Sequence, residues 1–142
     1  LWALALSYEK RRKLSRALQA RNRGLVVICD RYPQNQVMGF NDGPLLSHWL
    51  NQRSWFLRAV ARWEGAPYRW AEEFPPDLVI KLNISPGVAC RRKPEMEPAE
   101  SRRRVETIRG LAFPMSAIVE IDAGAPLEEV LLKVKRAIWA GI

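Results

Sequence analysis

The chain alternates between segments whose apolar residues recur every three or four positions and short unbroken apolar runs. In the first segment Leu14, Ala17 and Leu18 form a stripe that leaves most of the charges on the far side, and Gly24 offers a left-handed stop just past Asn22. Residues 25–29, LVVIC, form a continuous apolar run of strand length. A polar loop rich in Asn, Gln and Gly fills residues 33–43. The run SWFLRAVARWE then places Phe56, Leu57, Val60 and Trp63 at helical spacing, and Gly65 and Pro67 are expected to break or kink that helix. PPDLVIKLNISP holds a second strand, residues 78–82, opened by prolines and closed by Ser85-Pro86. A short helix, GVACRRK, stops at Pro94, and a longer one covers about residues 99–111. The third strand, AIVEI, falls within residues 116–121. Leu127, Val130, Leu131, Val134 and Ile138 then give a final amphipathic helix, with Glu128 and Glu129 in its first turn and Lys133, Lys135 and Arg136 later, as the helix dipole favours.

Helices alternating with strands predict an α/β fold: a parallel sheet covered by helices in three layers. A length of 142 residues with 48% hydrophobic content suits a single domain, residues 1–142, with a buried core. The apolar opening LWALAL is far shorter than the roughly 20 residues of a membrane span, so a soluble chain is expected. Cys29 and Cys90 lack CxxC spacing and His48 is the one histidine, which argues against zinc and for a reducing, cytoplasmic setting. His48 has no acid or serine partner at recognisable spacing. Four of the six tryptophans fall within residues 49–70, where helix packing is the expected use.

A net charge of +8 points to anionic partners: phosphorylated small molecules, nucleic acid or a membrane surface. The basic residues cluster at 10–23, a solvated helix face, and at 91–109, where Pro94 and Pro98 interrupt a mixed-charge segment.

In parallel α/β sheets ligands bind at the carboxyl ends of the strands. Three sets of residues sit there: Asp30-Arg31-Tyr32, Asn83-Ile84-Ser85 and Asp122-Ala123-Gly124. An aspartate at a strand end can hold a hydrated Mg2+, and the neighbouring arginine can fork onto a phosphate that the ion also orients. Phosphoryl transfer depends on such positioning and charge neutralisation. The plainer alternative is a capping aspartate beside a surface arginine.

LVVICDRYPQ, PPDLVIKLNISPGVACRRK, the arginine-rich stretch after it and IVEIDAGAPLEEVLLKVKRAI together resemble the thymidylate kinase family of nucleoside monophosphate kinases, over roughly residues 24–138. Asn83 departs from the pattern, standing where an acid is usual. The resemblance implies that Asp30 sits by Mg2+, through water, and by the acceptor phosphate, while Arg31 binds that phosphate. It implies that Tyr32, Gln34, Gln36, Asn41 and Asp42 line the acceptor side. Arg92 would lie against the adenine of ATP, approached also by the backbone of Ala123 and Gly124. Residues 94–104 would form a lid whose Arg102, Arg103 and Arg104 serve the transferring phosphoryl group; a solvated helix face is the alternative for these arginines. The implied reaction is ATP-dependent phosphorylation of a nucleoside monophosphate, thymidylate first, with no membrane or nucleic-acid partner and with a homodimer allowed.

The family's Gly-rich loop, G-x-x-x-x-G-K-[ST], does not occur in the chain. The family's first strand, which precedes that loop, would lie between residues 25–29 and 78–82. The helical, non-methionine start favours an upstream segment carrying both, and residues 1–142 alone are expected to be inactive. The rival expectations are a basic nucleic-acid or partner-binding module that kept the fold without catalysis, and a small-molecule kinase of the same fold.

Overall fold

A computed structural model describes residues 1–40 and 42–141. The chain forms two compact units, Leu1–Phe74 and Pro75–Ile142.

The first unit contains helix α1 (Trp2–Arg21), a short 3-10 helix (Ser47–Asn51) and helix α2 (Trp55–Glu72). The end of α1 follows the spacing: Asn22 caps it and Gly24 takes φ 79°, a conformation open to glycine at little cost. Leu14 is buried, Ala17 and Leu18 are half-buried, and most of the basic residues of α1 face solvent.

Several expectations fail in this unit. Residues 25–29 form no strand, and Leu25, Val26 and Ile28 are 60%, 60% and 79% exposed. A strand exists only through hydrogen bonds to a neighbour, and among the described residues none pairs with this run. The break expected at Gly65 and Pro67 is also missing, since α2 runs from Trp55 to Glu72 with Pro67 inside it. Pro67 deprives the carbonyl of Trp63 of its helical donor, yet Arg69 reaches back across the gap and donates to the carbonyl of Arg62 at 3.0 Å. Gly65 leaves room for that guanidinium, because a Cβ there would stand 2.9 Å from Arg69 Nη1.

Burial along α2 offsets the proline, on a face that the apolar spacing does not mark. Ala61, Glu64, Gly65, Tyr68 and Ala71 are buried, whereas Phe56 and Trp63 of the expected stripe are largely exposed. Trp55 and Trp63, each 74% exposed, do not pack as helix-core tryptophans.

The second unit holds β1 (Leu78–Asn83), α3 (Pro86–Arg92), α4 (Pro98–Gly110), β2 (Ala117–Asp122) and α5 (Leu127–Ala140). These match the expected elements to within a residue or two. The strands pair in parallel from Leu78↔Ala117 to Asn83↔Asp122. Of the expected three-layer sheet, only this two-stranded parallel pair is present among the described residues. Ser85 caps α3, its hydroxyl accepting from the Val88 N–H, with Pro86 in the first turn where a missing N–H costs nothing. Val105, Leu111, Ile121 and Val130 form the buried apolar core of this unit.

Lys81 lies buried among them. Its ammonium donates to the carbonyls of Arg109 at 3.1 Å and Leu111 at 2.6 Å, at the end of α4 where helical carbonyls lack partners. No helix among the described residues is long and apolar enough to cross a membrane.

Candidate functional site

The first unit carries the candidate acceptor side. Tyr32 anchors it: the hydroxyl donates to the carbonyl of Phe74 and lies 3.5 Å from that of Ala71, at the C-terminal end of α2. Burial pushes this phenol up to about 12; the nearby Cys29 adds to the rise and Arg21 opposes it. Directly before Tyr32, Arg31 adopts φ 65°, a left-handed conformation that costs a residue other than glycine about 1–2 kcal/mol. Asp30 and Arg31 are both exposed.

The polar loop is held from inside by Gln34, which is 2% exposed. Its amide donates to the carbonyls of Val37 at 2.8 Å and Phe40 at 2.7 Å, and its oxygen accepts from the N–H groups of Gln36 at 2.7 Å and Val37 at 2.8 Å. Gln34 is therefore the loop's internal clip, and Gln36 is exposed. Gly43 closes the loop, because a Cβ there would lie 2.0 Å from the carbonyl oxygen of Val37. Asn41 lies outside the described residues. Asp42, at φ 65°, takes a 2.8 Å ion pair from Lys10 of α1. The same ammonium sits 5.3 Å from the ring centroid of Tyr68.

Beneath the loop lies a group that the apolar spacing did not single out. Glu64 is fully buried and accepts from the N–H groups of Leu45 at 2.9 Å and Leu46 at 3.4 Å. Tyr68, one turn on and 1% exposed, has a hydroxyl with no hydrogen-bond partner among the described residues. Burial first, then Glu64 and Asp42, push its phenol up to about 12. The available signal was a Glu and a Tyr four residues apart, on the same face of the helical segment as Gly65.

The second unit carries the candidate ATP side and lid. Asn83 and Asp122 meet as register partners at the strand ends. Past them, the N–H of Gly124 donates to Asp122 Oδ1 at 2.8 Å and the N–H of Ala123 to the carbonyl of Asn83 at 2.7 Å, which fixes the turn. Arg92 ends α3 and is exposed. Arg102, Arg103 and Arg104 share the N-terminal half of α4 and face solvent; Arg104 pairs with Glu100 one turn earlier at 2.6 Å.

The chain is similar to curated proteins of Escherichia coli. One from strain K12, named uncharacterized ATP-binding protein YghS, is 32% identical over 137 residues, covering 96% of this chain and 56% of its own length. Uncharacterized ATP-binding protein YghR of the same strain is 31% identical over 148 residues, covering 97% of this chain and 56% of its own length. YghR of strain O6:H1 matches to the same extent. The chain thus spans a little over half the length of the curated relatives it matches. No family model matches the chain, and no solved structure matches it.

Proposed function

We propose that this chain supplies the acceptor side and the lid of an ATP-dependent phosphotransferase acting on a nucleoside monophosphate, with thymidylate the first candidate. ATP comes to this chain from the names of its relatives, and the acceptor from the resemblance of its DRY and lid segments. The observation that carries the reading is the strained turn at Arg31. A non-glycine residue at φ 65°, directly before a half-buried tyrosine, is the kind of outlier that marks a working position.

In this reading a phosphate oxygen of the monophosphate attacks the γ-phosphorus of ATP as the bond to the β,γ-bridging oxygen breaks, giving the diphosphate and ADP. Arg31 forks onto the acceptor phosphate, and the arginines of α4 balance charge on the moving phosphoryl group. Mg2+, when bound, supplies charge neutralisation between the phosphates. Among the described residues no three His, Cys, Asp or Glu side chains cluster as a metal cage, but magnesium needs only one or two carboxylates alongside phosphates and water. An exposed Asp30 fits that lesser demand.

The test uses the natural protein that contains these residues, assayed for transfer to each common nucleoside monophosphate. Asp30→Asn should abolish magnesium-dependent transfer, and Arg31→Lys, which keeps charge but loses the fork, should lower turnover by about 10²-fold or more. Wild-type transfer by both variants, each with an unchanged melting temperature, would make DRY a structural turn. A rival reading draws on the exposed Arg11, Arg12, Lys13 and Arg16 of α1, which would suit a basic nucleic-acid-binding module. It wins if transfer is never detected and Asp30→Asn, by removing a negative charge, tightens nucleic-acid binding.

A further inference from the structure

Register pairing puts Leu78 of β1 and Ala117, Val119 and Ile121 of β2 on one face of the sheet, opposite the side chains of Asn83, Glu120 and Asp122. Along one flank of α5 the helix and this face stand apart, leaving a groove of about 520 Å³. That volume lies in the range of small-molecule sites. Leu78, Val119 and Ile121 give the groove an apolar floor, and its wall is Lys133, Arg136, Ala137 and Ala140, which recur at helical spacing.

The groove has two unlike ends. Gly141 marks the apolar one: a Cβ there would stand 3.4 Å from Leu78 Cδ2, so the end of α5 sits over the amino end of β1. Lys133 and Arg136 lie one to two turns earlier, and helical side chains lean toward the helix N-terminus, which carries both cations further from that end. Both are exposed, and neither meets an acid among the described residues. Glu120 also borders the groove, but it projects from the other face of the sheet and accepts from Asn83 Nδ2 at 2.9 Å.

An apolar trough with two unpaired cations at one end suits an anion that carries an apolar tail. A nucleotide fits poorly, because its sugar hydroxyls would lie on Val119 and Leu78 without hydrogen-bond partners. Length narrows the class further. At roughly 3.3 Å per residue Ala117 to Ile121 spans about 13 Å, and Lys133 to Gly141 rises about 12 Å. A strand advances three bonds per residue, so an extended alkyl chain covers that distance with about ten to twelve carbons.

We infer that this groove binds a medium-chain fatty acid, its carboxylate held by Lys133 and Arg136 and its chain lying along β2 toward Gly141. The guanidinium can fork onto the carboxylate while the ammonium supplies a point charge. The site stands on the opposite face of the sheet from Asn83 and Asp122, and it does not depend on the ATP reading.

The test is calorimetric titration of the natural protein that contains these residues with decanoate, below its micellar concentration, beside hexanoate and decylammonium. Each methylene laid in a half-open apolar groove should gain about twofold, so decanoate should bind on the order of 10-fold more tightly than hexanoate. Decylammonium has the same chain and the opposite charge, and it should bind at least about 10-fold more weakly than decanoate. Lys133→Gln combined with Arg136→Gln removes two exposed charges and leaves the core alone; decanoate should then bind about 10-fold more weakly, and decylammonium no more weakly than before. Ala140→Phe, at an exposed position, should fill the apolar end and erase the advantage of decanoate over hexanoate. Equal affinity for decanoate and decylammonium would mark unselective apolar adsorption and overturns the inference. Absence of decanoate binding overturns it as well; if the natural protein also self-associates through a contact that Ala140→Phe breaks, the groove is an interface between copies instead.

Discussion

The two candidate regions handle polar groups in opposite ways. In the first unit the buried polar side chains are used to build the loop: Gln34 makes four hydrogen bonds within it, Glu64 takes two backbone N–H groups and Lys10 ties down Asp42. At the strand ends of the second unit a buried polar atom, Asn83 Oδ1, has no hydrogen-bond partner among the described residues. A loop that satisfies itself presents a fixed shape, and in the proposed reading the ligand is met by what remains outside it, Asp30 and Arg31. In the proposed reading, preorganisation thus belongs to the first region.

The largest expected effect comes from removing the keystone of the first region. Glu64→Ala orphans the N–H groups of Leu45 and Leu46 and leaves a void where the side chain was, so it should cost about 3 kcal/mol or more in denaturant unfolding. A loss under about 1 kcal/mol would mean that the loop does not depend on α2 for its shape.

A milder pair of substitutions compares the regions directly. Gly43→Ala forces a Cβ to 2.0 Å from a backbone oxygen, and backbone cannot move aside cheaply; a cost of about 3 kcal/mol is expected. Gly124→Ala meets only the carboxylate oxygen of Asp122, at 2.9 Å, which can rotate away, so the cost should stay near 1 kcal/mol. Similar losses at the two glycines would erase the contrast between a self-locked loop and an accommodating strand edge.

How well the sequence foretold these regions follows from where each draws its partners. The second unit was legible almost to the residue, because continuous apolar runs, prolines at the starts of α3 and α4 and acids at the start of α5 are local signals. The run at 25–29 has equally strong strand character, but strands need neighbours and local spacing cannot say whether one is present. The buried face of α2 was misread for a related reason. Its partner surface is a loop with bare N–H groups, which a carboxylate serves better than a phenylalanine, so Glu64 lies inside and Phe56 outside. The site residues divide in the same way: Asp30, Arg31 and Asp122 stand out as polar groups ending apolar runs, whereas nothing in the spacing marks Gln34 as a clip or Asn83 as an unsatisfied acceptor.

The smallest expected effect concerns Tyr68, whose orphaned hydroxyl is the exception to the self-satisfied polar core of the first unit. Removing a buried hydroxyl that has no partner relieves a desolvation cost, so Tyr68→Phe should be neutral or stabilising by up to about 1 kcal/mol at pH 7. The alkaline limb gives a second reading of the same site. Tyr32 and Tyr68 are both held up to about 12, whereas the unfolded chain ionises its tyrosines near pH 10. Between those values the folded protein keeps protons that the unfolded chain has lost. Stability from this source is therefore fully present below about pH 10 and falls away as the pH rises toward 12. Because the two phenols are raised alike, Tyr68→Phe should remove roughly half of that tyrosine-linked decline and Tyr32→Phe the other half. Melting curves of the three proteins from pH 7 to 12 would test it, with absorbance titration following the phenolates. If Tyr68→Phe loses more than about 1 kcal/mol at pH 7, the hydroxyl has a partner, such as a buried water bridging to Glu64 or Asp42. Every buried polar side chain described in the first unit would then be satisfied, and its contrast with Asn83 would become sharper still.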